Sequence, residues 1–183
     1  MFRGADELAR ALDHIRAAPA DDGSIELMQI RPGKGRRRPV PSIRLTAAEG
    51  ASGDRWLATA RRDAETGEVW PDMLVTLMNA RMIAAIAGEK ENWPPAGDQF
   101  FVDLDLSMDN LPAGRQLAMG SAVIEITAEP HLGCDQFIER YGIDSCRFVN
   151  SREGRALRLR GVNCKVVKDG EVTMTDRVRK VRE

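Results

Sequence analysis

The chain has 183 residues, 43% of them hydrophobic and 30% charged, which suits one compact domain with a single core and leaves little room for a second. Lys and Arg number 27 against 28 Asp and Glu, so a formal net charge of -1 supplies no global field toward nucleic acid or anionic lipid, and any anion site has to be local. Only 2 histidines exclude a multi-histidine zinc or iron centre, and the longest apolar runs, such as 82–87, fall far short of the roughly 20 residues of a bilayer span.

The chain opens Met1-Phe-Arg-Gly-Ala-Asp-Glu, with acids where a signal peptide has a basic start and an apolar block. The 3 cysteines are unevenly spaced, which argues against a disulfide framework and leaves thiol chemistry open. Both features predict a cytoplasmic protein. Residues 5–18 place Leu8, Leu12 and Ile15 at helical spacing, with acids at the start and Pro19 behind, and predict one amphipathic helix. That assigns 1–22 to a helical segment packed on the domain and 23–183 to the domain itself. His14, among charged neighbours on the helix, reads as a surface histidine.

From Ser24 the pattern turns to short β-rich pieces: 24–31, 41–46, 73–78, 100–106, 122–128, 157–167, 171–174 and 177–181, with Gly/Pro-rich turn clusters between them. Strands this short and numerous predict a mainly β fold, a barrel or sandwich, with helical insertions at 80–87 and 135–141, each closed by glycine. Lys168-Asp-Gly-Glu171 between two apolar runs predicts a hairpin. In 157–167 the apolar positions are odd before Gly161 and even after it, the pattern of a β-bulge. This reading puts Cys164 in the core. It points Arg158 and Arg160 outward, either to hold an anion or simply to be solvated.

Familiar catalytic templates do not fit. Gly50-Ala-Ser-Gly53 is a residue too short for a nucleophile elbow, and no phosphate loop or dinucleotide fingerprint occurs. The basic run Lys34-Gly-Arg-Arg-Arg38 has no aromatic residue to stack on bases, so a solvated loop is the default and an anion or partner site the alternative. What remains is Pro130-His-Leu-Gly-Cys134 before the 135–141 helix. Unpaired amides at a helix start favour a thiolate, which makes Cys134 the best nucleophile or metal ligand, with His131 able to stabilise it or exchange protons; a small buried cysteine is the bland alternative. A zinc site of His131, Cys134, Cys146 and Cys164 is disfavoured by spacing, since only the first two form a close pair.

Taken in order, these segments resemble the molybdenum cofactor sulfurase C-terminal (MOSC) domain: Gly50-Ala-Ser-Gly-Asp54-Arg-Trp; Asp103-Leu-Asp-Leu-Ser107 with Asn110-Leu-Pro-Ala-Gly114; Leu117 to Gly120 with Ala122-Val-Ile-Glu-Ile-Thr127; Pro130-His-Leu-Gly-Cys134 with Phe137; Arg158-Leu-Arg-Gly161; and Val166-Val-Lys-Asp-Gly-Glu-Val172. The resemblance spans nearly the whole chain from about Ser24. It implies a β-barrel-like fold with a few short helices and one functional cysteine, here Cys134, carrying sulfur or ligating molybdenum. Basic residues would hold the pterin phosphate of a molybdenum cofactor, which falls on Arg158 and Arg160, then Lys165, with Asn110 beside them. The implied partners are a cysteine desulfurase or a molybdoenzyme, with neither nucleic acid nor membrane. At family level pyridoxal phosphate belongs to a desulfurase domain, which this chain does not show. A short bacterial stand-alone member, acting in sulfur transfer or in reduction of N-hydroxylated compounds, is the expectation. Thr175-Asp176 in place of the family's Gly-Asp, and the wider Pro130 to Cys134 spacing, set it apart from the reductases. The alternative is a non-catalytic module binding a small anionic ligand or a partner protein.

Overall fold

The computed structural model describes residues 2–60 and 62–182. In chain order these form helices α1 (Ala5–Arg10) and α2 (Leu12–Arg16), strands β1 (Gly23–Ile30), β2 (Arg38–Pro39), β3 (Ser42–Thr46) and β4 (Gly50–Ala51), and helix α3 (Trp56–Thr59). Strand β5 (Val75–Asn79), helix α4 (Ala80–Ala87) and strands β6 (Phe100–Asp103), β7 (Gln116–Met119) and β8 (Ala122–Ile126) follow. Helices α5 (Asp135–Asn150) and α6 (Arg152–Ala156) then lead to strands β9 (Val162–Lys168), β10 (Gly170–Thr173) and β11 (Arg177–Lys180). Seven strands close a barrel in the order β1-β6-β5-β9-β8-β7-β11, with β11 returning to β1; β10, β3 and β4 form a separate small sheet. The predicted mainly β class with short helices is the observed one.

The alternation of side chains along β6 explains how barrel and helices share one wall. Phe100 and Val102 point into the barrel core with Val75, Leu77 and Cys164, while Phe101 points out under Met82, Ile83 and Trp93. Both phenylalanines are completely buried, each worth roughly 1.5–3 kcal/mol of apolar burial. β5 and β6 run parallel, so α4 must cross between them. It starts on Asn79, whose side chain accepts from the Met82 amide at 2.9 Å, and stops at Gly88 with φ +72°.

Four local expectations need correction. The 5–18 segment is two helices that meet at Ala11, not one. Lys168-Asp-Gly is not a hairpin: β9 pairs with β8 and β5, and the turn carries the chain out of the barrel so that β10 can pair with β3. The real two-residue hairpin is Met119-Gly-Ser-Ala122, joining β7 to β8 with glycine first at φ +57°. The 157–161 stretch is helix end and turn rather than strand, because Gly161 at φ +115° sits directly over the Leu77 carbonyl and only then releases the chain into β9. Gly142, at φ +85°, breaks α5 but does not end it; a second limb continues to Asn150.

The barrel seam has a polar clasp. β1 meets β11 through only two paired positions, Gly23 with Val178 and Ser24 with Arg177. Beside it Asp22 accepts from Arg179 Nε at 2.6 Å and from Arg177, and Asp21 accepts from the Lys180 amide at 2.8 Å. Among the described residues no helix is long and apolar enough to cross a membrane.

Candidate functional site

The site is organised by Asp98, a fully buried carboxylate on the loop before β6. The 3-10 turn Pro94–Ala96 and Gly97 at φ +92° aim this loop inward, and buried Gln29 locks it by donating to the carbonyls of Pro94 and Asp98 at 2.9 and 2.8 Å. Asp98 Oδ2 accepts from Arg160 Nη1 at 2.7 Å, and Oδ1 lies 2.8 Å from His131 Nε2. Burial alone would push this carboxyl up, but Arg160 and then His131 outweigh it and bring it down to about 2. Burial, followed by Arg160, pushes His131 down against the pull of Asp98. An ionised Asp98 facing a neutral imidazole fixes the proton on Nε2, which donates to it.

Around this pair lies a cavity of about 140 Å³ with Cys134 on one wall and Arg31, Arg37, Arg140 and Arg160 around it. Cys134 is the residue before α5, in extended backbone, and its side chain is exposed. Gly133 sets it in place: its N–H donates to Asn150 Oδ1 and its carbonyl accepts from Asn150 Nδ2, both at 2.9 Å. Arg31, at the end of β1, is gripped by Asp54 through Nε and Nη2 at 2.8 and 3.0 Å. Arg160 lies over the Phe137 ring, 5.0 Å from its centre.

The charge of this cavity does not balance. Four guanidinium groups face two carboxylates, since Asp98 serves Arg160 and Asp54 serves Arg31. Among the described residues neither Arg37 nor Arg140 has a carboxylate partner; Arg140 donates to the Pro95 carbonyl and Arg37 to that of Arg36. Burial, then Arg140 and Arg31, push Arg37 down, with Asp54 pulling the other way. The Nε atoms of Arg37 and Arg160 are buried without hydrogen-bond partners. A compact anion with several acceptor oxygens would answer these unmet donors.

Of the residues singled out from sequence, Cys134, His131 and Arg160 share this cavity. Arg160 does not point to solvent as the strand reading had it; it is 7% exposed and ion-paired inside. Arg158 takes φ +48° and diverges into a second cavity that also touches His131. Lys165 pairs with Glu125 across β9 and β8 at 2.8 Å, and Asn110 donates to the carbonyls of Ala20 and Asp105 and accepts from Lys180. Neither lines the cavity of Cys134. Cys164 is sealed in the barrel core, where burial pushes its thiol far up; Cys146 is also buried. Among the described residues no three His, Cys, Asp or Glu side chains gather as a metal site. Asp98, Arg31, Arg140 and Asn150 carry no mark of their own in the sequence, and Arg37 follows the alternative given for its basic run, an anion-facing position, rather than the solvated-loop default. The one signal for Arg31 was Asp54 within the MOSC-like series.

No family model matches the chain, and no curated protein matches it significantly. Solved structures do match in fold. The YuaD protein from Bacillus subtilis superposes with a TM-score of 0.65 at 16% identity, covering 87% of this chain and 97% of that one. YiiM from Escherichia coli gives 0.57 at 17% identity, over 87% and 70% of the two chains. YiiM from Geobacillus stearothermophilus gives 0.56 at 12%, over 87% and 75%. The chain therefore shares the barrel architecture of these YuaD and YiiM proteins.

Proposed function

We propose that this is a MOSC-like domain whose Cys134 carries sulfur or meets the metal of a molybdenum cofactor, with the surrounding arginines holding the anionic end of its ligand. The observation that carries the reading is an exposed thiol on the wall of a cavity with two arginines that lack a carboxylate. The MOSC-like residue series and the fold shared with YuaD and YiiM support it.

As a sulfur carrier, Cys134 Sγ attacks the outer sulfur of a donor persulfide, such as that of a cysteine desulfurase. A new S–S bond forms on Cys134, the donor's S–S bond breaks, the donor leaves as its thiolate, and the Cys134 proton passes to solvent. The cavity residues also fit a molybdopterin. Arg37, Arg140 and Arg160 line the cavity as cations suited to a phosphate, the first two without a carboxylate partner among the described residues, and Cys134 is a soft donor suited to molybdenum. When bound, that cofactor supplies a metal centre for oxygen- or sulfur-atom transfer. About 140 Å³ takes the phosphate and not the whole cofactor, so the pterin would extend beyond this cavity.

Incubation of the reduced protein with a cysteine desulfurase and cysteine is expected to add one sulfur to the peptide bearing Cys134, read by mass spectrometry, and Cys134→Ser abolishes it. Absence of that adduct, together with no molybdenum retained from a replete host, overturns the reading. The arginines have their own test. Arg37→Gln and Arg140→Gln should each weaken inorganic phosphate or molybdopterin binding about tenfold or more, as expected for loss of a hydrogen bond between charged groups. Equal affinity in calorimetry would count against the anion role. His131 commits only Nε2 to Asp98, which fixes the tautomer and leaves Nδ1 as the ring acceptor; the non-catalytic alternative requires no proton exchange from it. Under that alternative Cys134→Ser leaves phosphate binding and cellular phenotype unchanged.

A further inference from the structure

The second cavity is larger, about 270 Å³, and lies on the other side of His131. Its volume is near the lower edge of the range for small-molecule sites, about 300–1,000 Å³. Pro130, Val149 and Val162 contribute apolar lining, and Met108 and Leu132 also face it. These last two are 51% and 41% exposed, two of the few large apolar side chains that the fold leaves in solvent. An apolar hollow with an apolar rim is suited to an apolar molecule.

Two cations give the hollow a polar end. Arg158 is half-buried there, with Nη1 donating to the Leu111 carbonyl, and Arg155 donates through Nε to the Asn150 carbonyl at 2.9 Å. Among the described residues neither has a carboxylate within ion-pair distance. Burial pushes Arg158 down from its ordinary value, with no carboxylate to offset it. The one acid on the wall, Glu129, forms no ion pair with either. Arg158 reaches this position from a backbone conformation, φ +48°, that non-glycine residues rarely hold. Asn163, almost fully buried, also lines the cavity, with Nδ2 donating to the carbonyls of Glu129 and Pro130. That bond pair fixes the segment running from the second cavity to Cys134, so the second cavity is built on the same rigid wall.

We infer that this cavity binds a small amphipathic carboxylate, with an aromatic or aliphatic body among Met108, Leu132, Val149 and Val162 and its carboxylate on Arg158 and Arg155. The site is distinct from the arginine cavity and does not depend on the function of Cys134. The two hollows share His131, so a ligand in the second shares a wall residue with the arginine cavity, the one that donates to Asp98.

The probe is 1-naphthaleneacetate, followed by its own fluorescence and by amide chemical shifts of the full chain. Saturable binding is expected, at least fivefold tighter than for the neutral 2-(1-naphthyl)ethanol, with none for the cationic 1-naphthylmethylamine. Arg158→Met should weaken it fivefold or more. Met108→Glu, at an exposed rim position that folding does not need, should weaken it similarly by repelling the anion. Arg140→Gln, in the other cavity, should leave it unaltered. Absence of saturable binding at millimolar probe, equal affinity for the neutral analogue, or loss on Arg140→Gln with retention in Arg158→Met would each overturn the assignment. Failure of the persulfide experiment would leave this result untouched, and the converse holds.

Discussion

Asp98→Ala is expected to lower the stability of the protein by about 3–5 kcal/mol, the loss typical when one partner of a buried ion pair is removed and the other remains. The guanidinium of Arg160 would keep the Ala96 carbonyl at 3.0 Å, the Met78 sulfur at 4.0 Å and the Phe137 ring but no counter-charge, and His131 would lose its acceptor. Chemical denaturation at pH 7 measures this, and an accompanying Arg160→Met should return a large part of the loss. A double variant as unstable as Asp98→Ala alone would show that Asp98 acts through something other than Arg160. The same group governs acid stability. Its carboxyl, held at about 2 in the fold against about 4 when unfolded, contributes about 2 kcal/mol above pH 4 that is lost as pH falls through 2. His131, pushed down in the fold, adds an earlier loss that begins as the pH drops below about 6.5, where the unfolded chain takes up its proton first. Denaturant midpoints from pH 7 to pH 2 should therefore decline in two stages, and Asp98→Asn should remove the lower one.

Gly161→Ala should cost on the order of 3 kcal/mol, combining backbone strain with overpacking. At φ +115° a Cβ would stand 2.3 Å from the Leu77 carbonyl oxygen, so β5 and the turn that carries Arg160 would have to separate. Gly67→Ala is the control. It shares the positive φ, +71°, but its Cβ would meet nothing within 4 Å, and a loss of about 1 kcal/mol is expected from strain alone. Thermal or denaturant unfolding of the two variants separates the contributions. Similar losses would mean that β5 yields at Leu77 without difficulty.

These two residues also show what could be read from sequence. Strands with alternating or continuous apolar patterns were legible because barrel and helices bury them: Phe100 lies in the barrel core and Phe101 under α4, on opposite faces of β6. So was α4, bounded by Asn79 and Gly88. β7 was not, since Gln116-Leu-Ala-Met is too short and too weakly β-branched to stand out beside its hairpin partner. Arg160 was misdirected because Leu157 and Leu159 mimic strand alternation while belonging to a helix end and a turn. The anion cavity was legible only in part, for another reason. Arg31 and Arg37 on one loop, Asp98, Arg140 and Arg160 come from four separate stretches, and a charged residue in a polar loop carries no local mark of turning inward. Cys134 was recoverable because its surroundings, a glycine turn before a helix, are contiguous.

The clasp at Asp22 bears on how the molecule breathes. β1 and β11 are joined over two rungs, so this is where a closed ladder unzips first, and salt that weakens surface charge pairs should loosen it. The eight residues of β1 span about 26 Å from that end to Arg31. Transient unfastening at the seam can therefore expose two strand edges to a neighbouring chain while the thiol and its arginines stay assembled.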